Sequence, residues 1–395
     1  MMISKKGIAI SCVAALMLYQ IWYMQDFGTI PLLLQVLAIA IVAITVWIIQ
    51  GKIIINPNLM CWFLFGIYAL LSGWFIVDNK EYLESSIITL ISFTIVCFMI
   101  YNLCIVFEST KWITDIIFIA NVICAISVIF FGEDYNNGIH VITMGALNNP
   151  NYLGISMLYG IFACMTRINT RKWKNTLFYC FIIGVFSYVI ILSGSRSSLI
   201  GLIVFFLVYF LSGSKIKSLT RTIETRHIIY FVVIVMGIYI IGRYILTEFT
   251  NTPAFERLLL LTEDDGARAR TDLYDVAFML FSENPIIGIG YNNFGNVAGI
   301  GYFSHSTYAE TLACTGIIGC LLWFGPYFAC AKKLFLLHRY NKEGCNRWIA
   351  LYILIIFMGL FGIIYYVFQS MVVFTMLFAQ MDIESSNFIG EKNEE

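Results

Sequence analysis

The chain has 395 residues, of which 60% are hydrophobic and 12% are charged, and its formal net charge is zero. A soluble domain carries about twice that charged fraction, and the mean hydropathy of +0.83 is far above that of soluble proteins. The balanced charge excludes a strongly basic domain and gives no case for nucleic-acid binding.

Apolar runs of about twenty residues recur along the chain, the length that a helix needs to cross a bilayer. Backbone groups in lipid must be satisfied within the segment, so these runs predict an all-α polytopic membrane protein. The last two runs share one stretch interrupted near Gly359 and Gly362, so we expect about 11–12 transmembrane helices. The predicted spans are about 8–24, 29–50, 58–77, 84–107, 112–131, 150–166, 175–193, 197–213, 227–247, 306–331, 347–363 and 365–381.

The distribution of cations predicts the orientation. With the N-terminus in the cytoplasm, about three quarters of the lysines and arginines fall on the cytoplasmic side, as the positive-inside rule requires. We therefore predict a multi-pass protein of the inner or plasma membrane, with one transmembrane helical domain over 1–381 and a solvated cytoplasmic tail over 382–395.

Two outer loops are long in this topology, at about 132–149 and 248–305. The second is a large extracytoplasmic loop that holds most of the polar sequence outside the spans. Long loops on a rigid scaffold often carry function, so we predict that the active surface faces outward and that residues 248–305 form a catalytic loop.

The eleven cysteines lie almost entirely within apolar runs, and none has a CxxC spacing. Small apolar core residues are the simplest interpretation of this pattern. The sequence therefore predicts no metal site and no cofactor.

The first chemical candidate is Arg196, in ILSGSRSSLIGLIV at the boundary between two spans. A guanidinium at this depth is costly unless it is paired or wetted, so Arg196 either snorkels to lipid headgroups or serves a function. The serines and glycine around it predict a tight turn whose backbone amides suit a bound anion.

The large loop carries Arg268 and Arg270, followed by a stretch with helical periodicity in which Leu273 and Leu280 belong to an apolar stripe. This pattern predicts a helix lying on the membrane surface, with Arg270 near its start. Salt bridging to neighbouring carboxylates is the simpler interpretation of Arg268, whereas for Arg270 bridging and function are about equally supported.

His305 combines the outer face with the start of a span, in GYFSHSTYAETLACTG, where Tyr308 and Glu310 follow it. A helix N-terminus lowers the pKa of a histidine and keeps it a neutral base. The alternative is a histidine that only caps the helix. In NNPNYLG, at the start of the sixth predicted span, Asn151 belongs to a polar helix cap that also suits a hydrogen bond to a sugar.

Four segments together resemble the O-antigen ligase and polymerase family of bacterial membrane glycosyltransferases. They are NPNYLG before a span, SGSRSSL between two spans, RTDLYDVAFMLFSENPIIGIGYNNF in the large loop and HSTYAETLACTGIIG at the next span. Each motif is weak alone, but the four occur in the family's order and topology over about residues 148–320.

The resemblance implies a GT-C-like glycosyltransferase with an outward-facing site. It implies that Arg196 and Arg270 bind a lipid diphosphate and that His305 contacts the acceptor. Arg268, Glu310, Asn151, Tyr308 and Tyr274 are further substrate-binding candidates. The chain departs from the family pattern at Ser306, Ala269, Tyr274 and Ser197, where the family often has Asn, Gly, Trp and Gly.

The implied reaction joins an acceptor hydroxyl to a glycan carried on undecaprenyl diphosphate. Arginine forks suit the departing diphosphate, and His305 is the candidate base for the acceptor. The expected partners are the lipid-linked donor, a glycan acceptor, the lipid bilayer and, as an open candidate, a chain-length regulator.

Three functions stay open at this stage, beside a purely structural membrane scaffold, which would leave Arg196, Arg270 and His305 unexplained. A polymerase joins repeat units into O-antigen, capsule or exopolysaccharide, and we favour it because nothing in the sequence indicates a lipid A partner. A ligase moves a finished glycan onto lipid A core or another terminal acceptor. A transporter of lipid-linked glycans is the candidate from another class, but transporters usually show repeats and polar breaks at mid-membrane depth.

Overall fold

The computed structural model describes residues 53–77, 80–136, 139–143, 149–213, 265–340 and 342–394, together with a few single residues before position 52. The predicted span 227–247 and residues 248–264 of the predicted loop lie outside the described residues. The predicted spans 8–24 and 29–50 lie largely outside them as well, so the predicted total of membrane helices stays a prediction.

The described chain is built almost entirely of helices. Each predicted span that falls on it corresponds to a helix, which confirms the all-α polytopic fold class. The helices are α1 (Pro57–Ile76), α2 (Lys80–Val106), α3 (Lys111–Phe131), α4 (Pro150–Met165), α5 (Trp173–Leu192), α6 (Arg196–Gly213), α7 (Asp265–Glu283), α8 (Phe294–Val297), α9 (Thr307–Tyr340), α10 (Lys342–Met358) and α11 (Phe368–Glu394).

Within the described ranges, five helical segments are long and apolar enough to cross a membrane: Pro57–Ile76, Ser86–Val106, Lys111–Phe131, Trp173–Leu192 and Thr307–Arg339. Large apolar side chains on these helices point outward, and Phe75 and Phe130 are 83% and 72% exposed. Such faces are stable only against lipid or another apolar surface, in keeping with a membrane protein.

The centre of the bundle is α11. Its residues from Met371 to Ala379 are all buried, and it packs along α2 and α9. Around it, α9 packs on α1, α10 on α6, and α4 on both α3 and α5. Stacked rings of Trp62 and Trp323, with centroids 5.0 Å apart, join α1 to α9.

The predicted outer loop 132–149 contains a small antiparallel hairpin, with β1 (Glu133–Asn136) paired to β2 (Ile139–Thr143). The apolar stretch near Gly359 and Gly362 is broken into two helices, α10 and α11. Between them lies a turn with a short 3₁₀ segment, Ile364–Tyr366. We call residues 359–363 the glycine turn.

The predicted tail over 382–395 begins inside α11, which continues to Glu394. Asp382 forms an ion pair with Lys333. Its other oxygen accepts hydrogen bonds from Tyr101 Oη, at 2.9 Å, and from Asn56 Nδ2, at 3.1 Å. The ordered bundle therefore extends past the predicted end of the last span.

The segment 285–289 is wedged into a break in α9. At Gly316 the backbone leaves helical geometry, with φ 60 and ψ −163. Ile317 then donates its amide to Pro285 O at 2.9 Å, and Ile289 donates to Ala313 O at 3.0 Å. These bonds satisfy groups that the kink removes from the helix, and they fix α7 to α9.

This wedge predicts a strong effect of the substitution Gly316→Ala. The positive φ disfavours alanine, and an added Cβ would lie 2.4 Å from Ile286 O. We expect a loss of about 2 kcal/mol or more of stability, measured as a lower thermal unfolding midpoint in detergent. Gly299→Ala is the matched control, because Gly299 has φ +70 but nothing within 4 Å of its added Cβ. Equal losses in both variants would contradict the steric argument.

Candidate active site

The four motif segments meet at one end of the bundle. There α4 begins at Pro150, α5 ends at Leu192, α6 begins at Arg196 and α9 begins at Thr307. The glycine turn, which follows α10, lies at the same end, because Thr307 donates its amide to Gly359 O at 2.8 Å.

Arg196 is carried on a serine-rich turn between α5 and α6. Gly194 in this turn has φ 61. The Oγ atoms of Ser195 and Ser197 donate to Asn151 Oδ1 at 2.9 and 3.2 Å. Both serines are buried, whereas Arg196 is half-buried. The hydroxyls therefore fasten the turn to α4.

Gly154 lets α4 approach this turn closely. A Cβ added there would lie 2.2 Å from Ser198 Oγ. The glycine in NPNYLG is thus needed for packing, a role that the sequence analysis did not assign.

The helix predicted from Arg270 onward is present as α7, which begins five residues earlier, at Asp265. Its apolar stripe is buried, with Leu273, Ala277 and Leu280 at most 7% exposed. The backbone of Arg268 belongs to the same helix. Packing of this stripe against α9 holds position 270 close to the beginning of α9.

Arg270 and His305 lie within electrostatic reach of each other. Burial lowers the pKa of His305 from its usual 6.5, and the positive charge of Arg270 lowers it further. The direction agrees with the sequence expectation, and burial and the neighbouring guanidinium both contribute to it. A neutral imidazole therefore lies beside a permanent cation.

His305 is also held in a strained backbone conformation. Its φ is 58, in the left-handed region that non-glycine residues rarely adopt. Its ring lies among aromatic groups, with the Phe303 centroid 4.7 Å away. Strain of this kind costs on the order of 1–3 kcal/mol and persists where the surroundings enforce it, often at functional sites.

Glu310 is one of the residues that enforce this conformation. Its side chain is 1% exposed, and its Oε2 accepts the Ser304 amide at 2.8 Å. Oε1 accepts from Cys314 Sγ at 3.5 Å. The structure thus places this predicted substrate-binding residue behind the turn that presents His305.

Both predicted tyrosines bond to the backbone at the end of α10. Tyr274 Oη donates to Leu360 O at 2.7 Å, and Tyr308 Oη donates to Ile356 O at 2.8 Å. Burial raises the pKa of Tyr274, while the Arg270 charge and a hydrogen bond with Ser306 oppose that rise. Tyr274 thus joins α7 to the glycine turn beside His305.

The glycine turn is the junction that the sequence analysis missed. It accepts bonds from Thr307 of α9 and Tyr274 of α7. Tyr152 of α4 packs against it, since a Cβ added at Gly362 would lie 3.8 Å from Tyr152 Cε1. Asn151, which holds the Arg196 turn, directly precedes Tyr152, so this turn is tied to the same junction. The two glycines were the available signal, but they were interpreted only as a helix break.

The substitution Asn151→Ala tests whether Asn151 holds the Arg196 turn against α4. Removal of Oδ1 leaves two buried serine hydroxyls without this acceptor and loosens the turn that carries Arg196. If the turn serves catalysis, we expect glycan transfer to fall about tenfold. Asn149→Ala is the control, because Asn149 caps α4 by accepting from the Asn151 amide at 2.9 Å. We expect Asn149→Ala to lower stability more than it lowers glycan transfer. A larger loss of transfer in Asn149→Ala than in Asn151→Ala would contradict the proposed role of Asn151.

These features define a multi-pass α-helical membrane protein with a polar, arginine-bearing site at one end of its bundle. Residues 178–324 match the family model described as O-antigen ligase. The match confirms the resemblance to the O-antigen ligase and polymerase family, whose members are glycosyltransferase-like enzymes that transfer glycans. It includes Arg196, Arg270 and His305. No curated protein matches the chain.

Proposed function

We propose that this protein is a membrane glycosyltransferase with a GT-C-like fold that polymerises oligosaccharide repeat units carried on undecaprenyl diphosphate. The observation that carries the proposal is the pairing of Arg270 with a half-buried, strained His305, at the end of the bundle where the Arg196 turn also lies. The product would be a surface polysaccharide such as O-antigen, capsule or exopolysaccharide.

In the proposed reaction, an acceptor hydroxyl attacks the anomeric carbon of the donor glycan. The new carbon–oxygen bond forms as the bond to the diphosphate breaks, and the electron pair leaves with the diphosphate. A single displacement of this kind inverts the anomeric configuration. The hydroxyl proton passes to His305. Because the pKa of His305 is lowered, its imidazole is in the neutral, basic form at neutral pH.

The two arginines would act on the leaving group. Charge grows on the diphosphate during departure, and guanidinium forks bind phosphate oxygens in matching geometry. Because permanent cations would supply this stabilisation, we expect transfer to continue in the presence of a chelator. Glu310, Tyr308 and Tyr274 would then support the site by positioning its backbone, and Asn151 by fastening the turn of Arg196. Arg268 would contribute less than Arg270.

The site would face the periplasm or the exterior, as the cation distribution predicts. The donor's lipid tail would enter from the bilayer, which gives a physical reason for an embedded enzyme. A chain-length regulator stays an open candidate partner.

The test is a reconstitution of the purified protein with a lipid-linked repeat unit. A polymerase yields a ladder of lengthening undecaprenyl-linked chains, whereas a single transfer to a separate acceptor indicates a ligase. A change of membrane side with no change in glycan length would instead indicate a transporter and would refute the proposal.

The ligase is the second candidate, and it is favoured by the description of the matching family model, O-antigen ligase. Supplying lipid A core alongside the repeat unit discriminates between the two. Transfer of preassembled glycan to lipid A core, without a ladder, would replace the polymerase proposal and keep the same catalytic residues.

A further inference from the structure

A second polar feature lies at the opposite end of the bundle. It is a cavity of about 910 Å³ near the end of α4 and the beginnings of α3 and α5. The 16 residues of α4 separate this region from Asn151, a distance of about 24 Å along the helix. The cavity is therefore separate from the candidate active site.

The lining of the cavity carries more cations than anions. Its charged residues are Lys111, Arg167, Arg171 and Arg347, with the carboxylates Glu108 and Asp115. Asp115 is committed to an ion pair with Arg167. Glu384, just outside the lining, acts electrostatically on Arg347. The remaining lining favours a bound anion.

Two neighbouring hydrogen-bond donors among the lining residues have no acceptor within the described part of the chain. Trp348 is 3% exposed, and its indole ring packs on Phe162 with centroids 5.2 Å apart. Among the residues that the structure describes, neither Trp348 Nε1 nor the buried Arg347 Nε has a hydrogen-bond partner. An unsatisfied buried donor costs about 1–3 kcal/mol, so an adjacent pair calls for an acceptor from outside the described chain.

We propose that this cavity binds the phosphate group of an anionic phospholipid headgroup. A phosphate supplies several acceptor oxygens and negative charge, which suit the guanidinium of Arg347, the indole N–H of Trp348 and the ammonium group of Lys111 among the lining residues. The cavity lies at the ends of membrane-length helices, where lipid headgroups lie. Basic pockets between such helices bind anionic headgroups in membrane proteins generally. Free phosphate has the same binding chemistry and is the alternative source.

The test measures binding to the purified full-length protein in a neutral detergent. The probes are dioctanoyl phosphatidylglycerol, dioctanoyl phosphatidylcholine and inorganic phosphate, each titrated while the thermal unfolding midpoint is followed. We expect phosphatidylglycerol to raise the midpoint at concentrations at which the other two do not. A rise with inorganic phosphate at the same concentrations would support the phosphate site and identify its ligand as soluble.

Variants decide whether the effect belongs to the cavity. Arg347→Gln should raise the phosphatidylglycerol concentration for half-maximal stabilisation about tenfold. Trp348→Phe keeps the ring packing and removes only the N–H, and it should raise that concentration about threefold. Arg339→Gln is the matched control, because Arg339 is exposed and does not line the cavity.

Three outcomes would overturn the proposal. One is equal stabilisation by phosphatidylglycerol and phosphatidylcholine, with no effect of phosphate. Another is no stabilisation by any probe. The third is an equal rise, in Arg339→Gln and in Arg347→Gln, of the phosphatidylglycerol concentration for half-maximal stabilisation. That result would show a general attraction of the lipid to a basic surface. None of these readouts depends on glycan transfer.

Discussion

Replacing Arg270 by alanine should abolish measurable glycan transfer while leaving membrane insertion intact. Arg270 lies within electrostatic reach of His305 and Tyr274. In the proposed reaction it stabilises the charge that grows on the diphosphate. Loss of one such preorganised donor costs about 10²–10³ in rate. The measurement is product formation from a lipid-linked repeat unit, at equal amounts of inserted protein.

Companion variants separate the charge of Arg270 from its shape. Arg270→Lys keeps the cation but loses the planar fork, so we expect partial activity. Arg268→Ala should be milder, because positions two apart on a helix do not face the same neighbour. A complete loss in Arg268→Ala with normal activity in Arg270→Ala would show that the wrong loop arginine had been chosen. Arg196→Ala should lose transfer as Arg270→Ala does.

The helices were the most predictable part of the fold. Long apolar runs have one stable solution in a bilayer, so the runs from 58–77 onward gave correct helices wherever the structure describes them. The extension of α11 through Asp382 was not predictable from local sequence. Its polar residues resemble a solvated tail, and their partners Lys333, Tyr101 and Asn56 are far away in the chain.

Candidate site residues could be named from the sequence, but their arrangement could not. Arginines at a span boundary and a histidine at a helix start are chemically conspicuous in so apolar a chain. The closeness of Arg270 to His305 depends on how the segment 285–289 wedges into α9 at Gly316 and directs α7 back to the bundle. Such a contact joins distant segments and leaves no local periodicity. The role of Glu310 in holding the turn before His305 could not be predicted from the sequence for the same reason.

Replacing His305 by alanine should lower transfer by about 10²–10⁴, the usual contribution of a positioned general base. Because His305 has φ 58, alanine at this position changes the backbone as well as the chemistry. His305→Gly and His305→Asn are therefore the informative companions, since both residues tolerate the left-handed region. Equal loss in all three variants assigns the effect to the imidazole, whereas recovery in His305→Gly would mean that His305 matters only for the turn.

The pH dependence of the wild-type enzyme tests the same assignment. A general base works in its neutral form, so transfer should fall as the pH drops through the pKa of His305. That pKa is lowered below 6.5 by burial and by Arg270, and the acid limb should lie below pH 6.5 accordingly. In Arg270→Gln the imidazole loses a neighbouring positive charge, so its pKa should rise. Titration of labelled histidine by NMR measures this rise even when the variant is inactive. An unchanged pKa would show that the two side chains do not interact.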